Sequence, residues 1–126
     1  MPVEPGLTGI ATLVVTESDT AIALRSGDVP VLATPRIVAL CEEASVAAIA
    51  SHISADDTTV GAAVQISHVA PSPVGMEVRA EATLDRVEGR RLHFTASVTD
   101  DHGLVAAGKL TRAVVDRARF LEKLED

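Results

Sequence analysis

The fold is decided by the segment VLATPRIVALCEEASVAAIASH, which occupies residues 31–52. Thr34 suits the N-cap of a helix, because its hydroxyl can accept from free backbone N–H groups, and Pro35 suits the first helical position. Apolar residues then recur with the period of an α-helix, and few polar residues interrupt them. The face predicted to be buried comprises Ile37, Cys41, Ala44 and Ala48, with Val38 and Leu40 at its flanks. The segment therefore predicts one long, largely buried helix.

Two adjacent carboxylates, Glu42 and Glu43, lie in the middle of this helix. On a helical wheel Glu42 lies among apolar residues, whereas Glu43 lies in a more polar sector near Arg36. Ionised carboxylates are rarely buried without a partner or a chemical role. We therefore expect Glu42 to be the buried acid and Glu43 to lie at the surface or an interface. The alternative is that both line a solvated stripe.

The segments on either side of the helix predict β-strands. Residues 9–16 and 20–24 are strand candidates before it, and 58–69, 76–87, 91–100 and 104–115 follow it. In the later strands apolar and polar residues alternate, which predicts one buried and one solvated face. Turn signals at 88–89 and 101–103 indicate that neighbouring strands pair antiparallel. A short helix is predicted at 116–124.

This order of elements predicts an α+β fold in which an antiparallel sheet wraps around one long central helix. The arrangement resembles the hotdog fold. We assign residues 1–126 to one such domain, because a chain of 126 residues suits a single modest core. One small sheet around one helix leaves sheet edges open, so we expect a homodimer or a higher oligomer.

The composition excludes several classes of partner. A formal net charge of −7 argues against nucleic-acid binding, which needs basic patches. The single cysteine, Cys41, excludes an intrachain disulfide, and no metal-ligand motif is present, so we expect no metal and no cofactor. No secretory signal or membrane-length apolar run is visible, so we expect a cytoplasmic protein with no membrane partner.

Two further charged or titratable residues are predicted to face the helix. His68 ends an apolar row with Val60, Ala62, Val64 and Ile66, and histidine suits proton transfer near neutral pH. The alternative is a core histidine satisfied by a backbone carbonyl. Arg112 shares its face with Leu110 and Gly108, where a permanent charge needs an acid or an anionic ligand. An edge or a bulge that turns Arg112 outward is the alternative.

The start of the helix is a candidate anion site, because unpaired N–H groups and the positive end of the dipole lie there. Pro35 has no N–H, so the donors are expected from Arg36 and Ile37. Such donors can stabilise a developing oxyanion.

Residues 31–35 with Glu-Glu-Ala, followed by TVGAAVQISHVAPSPVG at 59–75, resemble the hotdog thioesterases of the fluoroacetyl-CoA thioesterase type. The resemblance extends from about residue 14 to residue 120. It is specific in spacing, with Thr34, Glu42 eight residues later and His68 twenty-six residues after that. It implies that Gly61 lies at the thioester and that Arg112 lies on the substrate side. The aromatic segment that covers the acyl group in the fluoroacetyl-selective enzyme is not matched here.

The resemblance implies an acyl-CoA thioesterase, with CoA present only as part of the substrate. Glu42 is expected to act as nucleophile or as general base, Thr34 to position the acid and the thioester, and His68 to polarise or protonate. The first alternative is a non-catalytic acyl-CoA-binding hotdog dimer. The second is a hotdog hydratase of enoyl thioesters, whose usual Asp/His pair on another segment is not found here.

Overall fold

The apolar segment at 31–52 forms the central helix, α1, over Thr34–Ile49 in the computed structural model, which describes residues 3–125. The predicted inner face is confirmed, because Ile37, Cys41, Ala44 and Ala48 are all buried. The expectation that Thr34 caps the helix is wrong. Ala33 is the N-cap, Thr34 is the first helical residue, and among the described residues no side chain caps this end. The backbone N–H of Ala33 donates to the carbonyl of Asp19 at 2.9 Å, and this bond fixes where the helix begins.

One sheet of five antiparallel strands wraps around α1. The strands are β1 (Thr8–Val14), β2 (Asp57–His68), β3 (Glu77–Glu88), β4 (Arg91–Asp100) and β5 (Gly103–Asp116). Their order across the sheet is β1-β3-β4-β5-β2, so β1 and β2 are the two edges. This confirms the predicted arrangement of an antiparallel sheet around one helix.

The alternation predicted for β3 and β4 is confirmed by their burial. The inward residues, each at most 1% exposed, are Val78, Ala80, Ala82, Leu84, Leu92, Phe94, Ala96 and Val98. Gly9 of β1 lies so close to α1 that a Cβ there would overlap the backbone of Ala44 and Ala48. Close packing of β1, β3 and β4 on α1 therefore sets the position of the helix relative to the sheet.

The prediction of a strand at 20–24 is wrong, because that segment folds into local turns. Thr20 makes only an isolated bridge to Leu32. Its hydroxyl donates to the carbonyl of Glu17 at 2.8 Å and accepts from the N–H of Ala23 at 3.2 Å. These bonds satisfy the backbone locally, so no extended strand is needed.

The last strand leads into a second short helix, α2, over Arg117–Glu122. Asp116 caps it by accepting from the backbone N–H of Arg119 at 3.0 Å. No helix within residues 3–125 is long and apolar enough to cross a membrane.

Candidate active site

His68 is the last residue of β2, and it contacts the beginning of α1. The hydroxyl of Thr34 and Nδ1 of His68 share a hydrogen bond of 2.8 Å. Thr34 can make this bond because its hydroxyl is not used as a cap. The other ring nitrogen, Nε2, is buried and has no hydrogen-bond partner within residues 3–125. We call Thr34 and His68 the histidine half of the site.

Glu42 projects from the middle of α1 toward Arg112 of β5. Its Oε2 lies 3.3 Å from Nη1 of Arg112. The guanidinium is also held by Thr59, because its Nε donates to the hydroxyl at 2.9 Å and its Nη2 donates to the carbonyl at 3.1 Å. Burial lowers the pKa of Arg112, and the nearby Glu42 carboxylate opposes that shift. The alternative that Arg112 turns outward is wrong, since its side chain is only 8% exposed.

Gly61 of β2 brings its backbone against the carboxylate of Glu42. A Cβ at this position would lie 2.5 Å from Oε2 of Glu42 and 3.8 Å from Nη1 of Arg112. Only a residue without a side chain leaves the carboxylate in its present place. We call Glu42, Gly61 and Arg112 the acid half of the site.

A β-bulge in β2 determines which of its residues face the helix. Gly61 pairs with Arg112 but Ala63 pairs with Thr111, so the register shifts by one residue between them. The predicted inward row that joined Val60 and Ala62 to His68 is therefore wrong at its beginning. Because of the shift, the odd-numbered Gly61 and the even-numbered His68 both face α1.

Glu43 has a different environment from Glu42. Its side chain is 56% exposed, and its Oε1 lies 3.8 Å from Nη1 of Arg36. Glu42 is 35% exposed and faces the sheet. The distinction made from the helical wheel is confirmed: Glu43 lies at the surface, and Glu42 is the partly buried acid that pairs with an arginine.

The backbone N–H groups of Arg36 and Ile37, expected as free oxyanion donors, are already paired. Both donate to the carbonyl of Ala33, at 3.0 and 3.1 Å. The expectation that they are unpaired is therefore wrong. The cause is the cap: because Ala33 precedes the helix, its carbonyl is the nearest acceptor for the first turn.

The two halves do not meet within one chain. Thr34 and Glu42 are eight residues apart on α1, which is about 12 Å along a helix axis. Within one chain Thr34 therefore contacts His68 and not Glu42, and its expected role in positioning the acid stays a prediction. The structure brings together Thr34 with His68, and Glu42 with Gly61 and Arg112.

Two supporting residues were missed from the sequence. Thr59 holds Arg112 through both its hydroxyl and its carbonyl. Asp19 is buried, and it accepts from Nε of Arg36 at 3.2 Å and from the N–H of Thr16 at 2.8 Å. The signal for Thr59 was its position two residues before Gly61, on the same face of the strand. No pattern in the sequence indicated the role of Asp19.

An antiparallel sheet of five strands wrapped around one long helix is the architecture of the hotdog fold. Residues 15–118 match the family described as FlK: Fluoroacetyl-CoA-specific thioesterase. The chain belongs to this family. Membership confirms the family, the hotdog fold and the thioesterase class predicted from the sequence.

The relatives agree with this assignment. A protein of Streptantibioticus cattleyicolor named fluoroacetyl-CoA thioesterase is 35% identical over 94 residues, covering 75% of this chain and 68% of its own length. A variant of the thioesterase FlK solved in complex with acetyl-CoA has a TM-score of 0.91 at 29% identity, with 97% of this chain and 96% of that chain covered. A thioesterase superfamily member from Thermus thermophilus has a TM-score of 0.90 at 26% identity, covering 98% and 91%.

Proposed function

We propose that this chain hydrolyses short or medium acyl-CoA thioesters with Glu42 as its reacting acid. The observation that carries the proposal is the geometry of that carboxylate. Arg112 binds one oxygen at 3.3 Å, and within residues 3–125 the other oxygen, Oε1, has no hydrogen-bond partner. With the side chain 35% exposed, an anchored but open carboxylate can reach a thioester carbon or a water molecule.

The acid half is consistent with two balanced reactions. As a nucleophile, Glu42 forms a bond to the acyl carbon while the carbon–sulfur bond breaks, CoA leaves and takes up a proton, and water then hydrolyses the anhydride. As a general base, Glu42 takes a proton from water while the water oxygen attacks the carbonyl, and that proton passes to the leaving sulfur. Single-turnover hydrolysis in ¹⁸O-water tests for the first, because label appears in Glu42 only when water attacks the Glu42 carbonyl of the anhydride.

The histidine half suits proton transfer at the same thioester. When the Thr34 hydroxyl donates to Nδ1 of His68, the neutral ring carries its proton on Nε2. That nitrogen is buried and lacks a partner within residues 3–125, so a substrate atom placed beside the ring would satisfy it. A cleft of about 220 Å³ lies beside the ring, lined by Val31, His68, Val69, Ala70 and Pro71.

The carrier part of the substrate is proposed to be CoA. The curated relative is named for fluoroacetyl-CoA, and the FlK variant was solved with acetyl-CoA. The acyl group is proposed to vary, because the segment at 20–30 that precedes α1 contains no aromatic residue. The cytoplasmic location expected from the sequence remains part of this proposal.

A homodimer through β2 would complete the site. β2 is a twelve-residue edge strand, and Gly61, Ala62, Ala63 and Val64 along it are exposed. A two-fold axis between Val64 and Gln65 would pair two β2 strands antiparallel, with the same surface used on both protomers. The His68 end of one strand would then lie beside the Gly61 end of the other. Each active site would combine the acid half of one protomer with the histidine half of its partner.

The direct test of the function is a screen of acetyl-, butyryl- and phenylacetyl-CoA with a reagent that detects free thiol. We expect thiol release from the wild-type protein with at least one of these thioesters. Glu42→Gln, measured in parallel, controls for contaminating hydrolases. Binding of these thioesters without thiol release would contradict the proposal and favour a non-catalytic acyl-CoA-binding protein.

A further inference from the structure

A groove distant from the acid half lies where β5 runs into α2. It has a volume of about 400 Å³ and is lined by seven residues: Arg90, Val114, Val115, Asp116, Arg119, Phe120 and Lys123. Three of these seven are cations and one is an acid. The backbone N–H of Val114 donates to the carbonyl of Arg90 at 2.8 Å, which holds the β3–β4 turn beside the end of β5.

The cations of this groove are not neutralised by the protein. The whole chain has a formal net charge of −7, yet within residues 3–125 none of Arg90, Arg119 and Lys123 makes a salt bridge. Arg90 donates from Nη1 to the carbonyl of Val114, at 3.3 Å. Asp116, the one acid on the groove wall, uses Oδ1 to accept from the backbone N–H of Arg119. Three unpaired cations around one concave surface favour a polyanionic ligand.

An aromatic ring accompanies the charges. The chain has only two phenylalanines, and Phe94 is fully buried in the core. Phe120 is partly exposed and lines the groove. Nζ of Lys123 lies 5.8 Å from the centroid of its ring. An accessible aromatic face beside cations is suited to a nucleobase that carries phosphates, because the base stacks and the phosphates bind the cations.

The groove lies at a suitable distance from the reaction centre. Arg112 contacts Glu42, and Asp116 is four residues further along the same strand, which is about 13 Å at the rise of an antiparallel strand. The pantetheine arm of CoA, from its sulfur to the pyrophosphate, has about as many backbone bonds as four extended residues, a reach of roughly 14 Å. A thioester at Glu42 can therefore place its phosphates at this groove.

We propose that the groove binds the phosphorylated adenosine end of the CoA carrier, with Phe120 stacking on the base and Arg90, Arg119 and Lys123 binding the phosphates. This inference rests on the proposed acyl-CoA thioesterase function and identifies which part of the carrier that function recognises. It makes these residues determinants of substrate binding that take no part in the chemical step.

The test compares acetyl-CoA with acetyl-pantetheine, which has the same thioester but lacks the nucleotide. For Arg119→Gln/Lys123→Gln we expect KM for acetyl-CoA to rise about fivefold to twentyfold, as for loss of two exposed charge contacts, with kcat unchanged. Phe120→Leu is expected to raise the same KM about threefold or more. Neither change is expected to alter KM for acetyl-pantetheine. Lys109→Gln, which removes an exposed cation of β5 outside the groove, is the matched control and should leave both constants unchanged.

A second measurement does not depend on catalysis. Calorimetric titration with adenosine 3′,5′-bisphosphate is expected to show binding to the wild-type protein and the Lys109→Gln control, and at least fivefold weaker binding to the groove variants. That result without thioester hydrolysis would reject the proposed function and keep the groove as a nucleotide site. Equal effects of the variants on acetyl-CoA and acetyl-pantetheine, or no effect on either, would overturn the inference. A KM change seen only with thioesters carried on an acyl carrier protein would also overturn the inference.

Discussion

Each half of the site contains one residue of α1, Thr34 or Glu42, but the two halves differ in how completely one chain builds them. In the acid half, Glu42 has a counter-charge from Arg112, whose guanidinium is held in turn by Thr59. In the histidine half, one hydrogen bond to Thr34 orients His68, and Nε2 has no partner within residues 3–125. The difference indicates that the carboxylate of the first half has its counter-charge within a single chain, whereas the second half leaves one buried ring nitrogen without a partner within residues 3–125.

The largest expected effect separates the two adjacent carboxylates. Glu42→Gln should lower kcat for acetyl-CoA by a factor on the order of 10² or more, because an amide is neither a nucleophile nor a base. Glu43→Gln is the matched control and should stay within about threefold of wild type, since its side chain is 56% exposed and pairs with Arg36 at the surface. Steady-state thiol release measures both. A larger loss in Glu43→Gln than in Glu42→Gln would show that the acid half is wrongly assigned.

The acyl specificity tests how open the space beside the histidine half is. We expect kcat/KM for fluoroacetyl-CoA to exceed that for acetyl-CoA by less than about a hundredfold, because a small substituent in an apolar pocket contributes only about 1–3 kcal/mol. The segment before α1 has no aromatic residue that could enclose the acyl group. A ratio above about 10⁴ would reveal an enclosure that neither the sequence nor the fold indicates.

Thr34 tests whether the hydrogen bond to His68 matters for catalysis or only for the helix. Thr34→Val removes the hydroxyl at constant shape, and we expect kcat to fall about tenfold because the ring loses its fixed orientation. Thr34→Ser should restore most of the activity. Because the hydroxyl is not a cap, the free energy of unfolding should change by less than the roughly 1 kcal/mol typical of a lost N-cap. A loss of about 1 kcal/mol in the free energy of unfolding, with kcat unchanged, would show that Thr34 acts as a helix cap and not in catalysis.

The smallest effect concerns Asp19, which fixes the loop before the histidine half. Burial raises the pKa of this carboxyl, but hydrogen bonds from Thr16 and from Arg36 outweigh it and hold the pKa below the ordinary 3.8. Its contribution to stability is therefore present above pH 3.8 and is lost as the pH falls through the lower folded value. Asp19→Asn should lower the free energy of unfolding by about 1 kcal/mol at pH 7. The difference from wild type should shrink in acid.

Urea unfolding followed by circular dichroism measures this difference, since the chain has no Trp or Tyr for fluorescence. Asp101→Asn, at an exposed turn, is the control and should show no such loss. A cost for Asp19→Asn that stays constant down to the most acidic pH would mean that the ionised form is not the stabilising one.

The sequence was sufficient where one periodic pattern determines the structure. The buried face of α1 and the inward rows of β3 and β4 follow from helical and strand periods, because burial on one face leaves only one possible orientation. The choice of Glu42 over Glu43 followed from the same helical geometry. Apolar periodicity thus predicted the core and the choice of Glu42, whereas the place of Gly61 was implied only by the family resemblance.

The remaining features depend on contacts between distant segments. Thr34 has the residue type of a cap, but Ala33 is held by Asp19 and His68 binds the hydroxyl instead. The bulge beside Gly61 inserts one extra residue into β2. It reverses which residues of the preceding part of the strand face α1. Neither leaves a periodic signal, because both are decided by packing and pairing after the chain has folded. The assignment of Thr34 and Glu42 to different halves of the site is likewise known only from their contacts, with His68 and with Arg112.

The measurement that tests the central claim most directly mixes two inactive variants. Glu42→Gln lacks a working acid half, and His68→Ala lacks a working histidine half. If each site combines halves from two protomers, then after subunit exchange half of the dimers are mixed and each carries one intact site, which predicts about a quarter of wild-type activity. If activity stays at the level of the separate variants although mass spectrometry shows mixed dimers, the halves are not shared between protomers and the account is wrong.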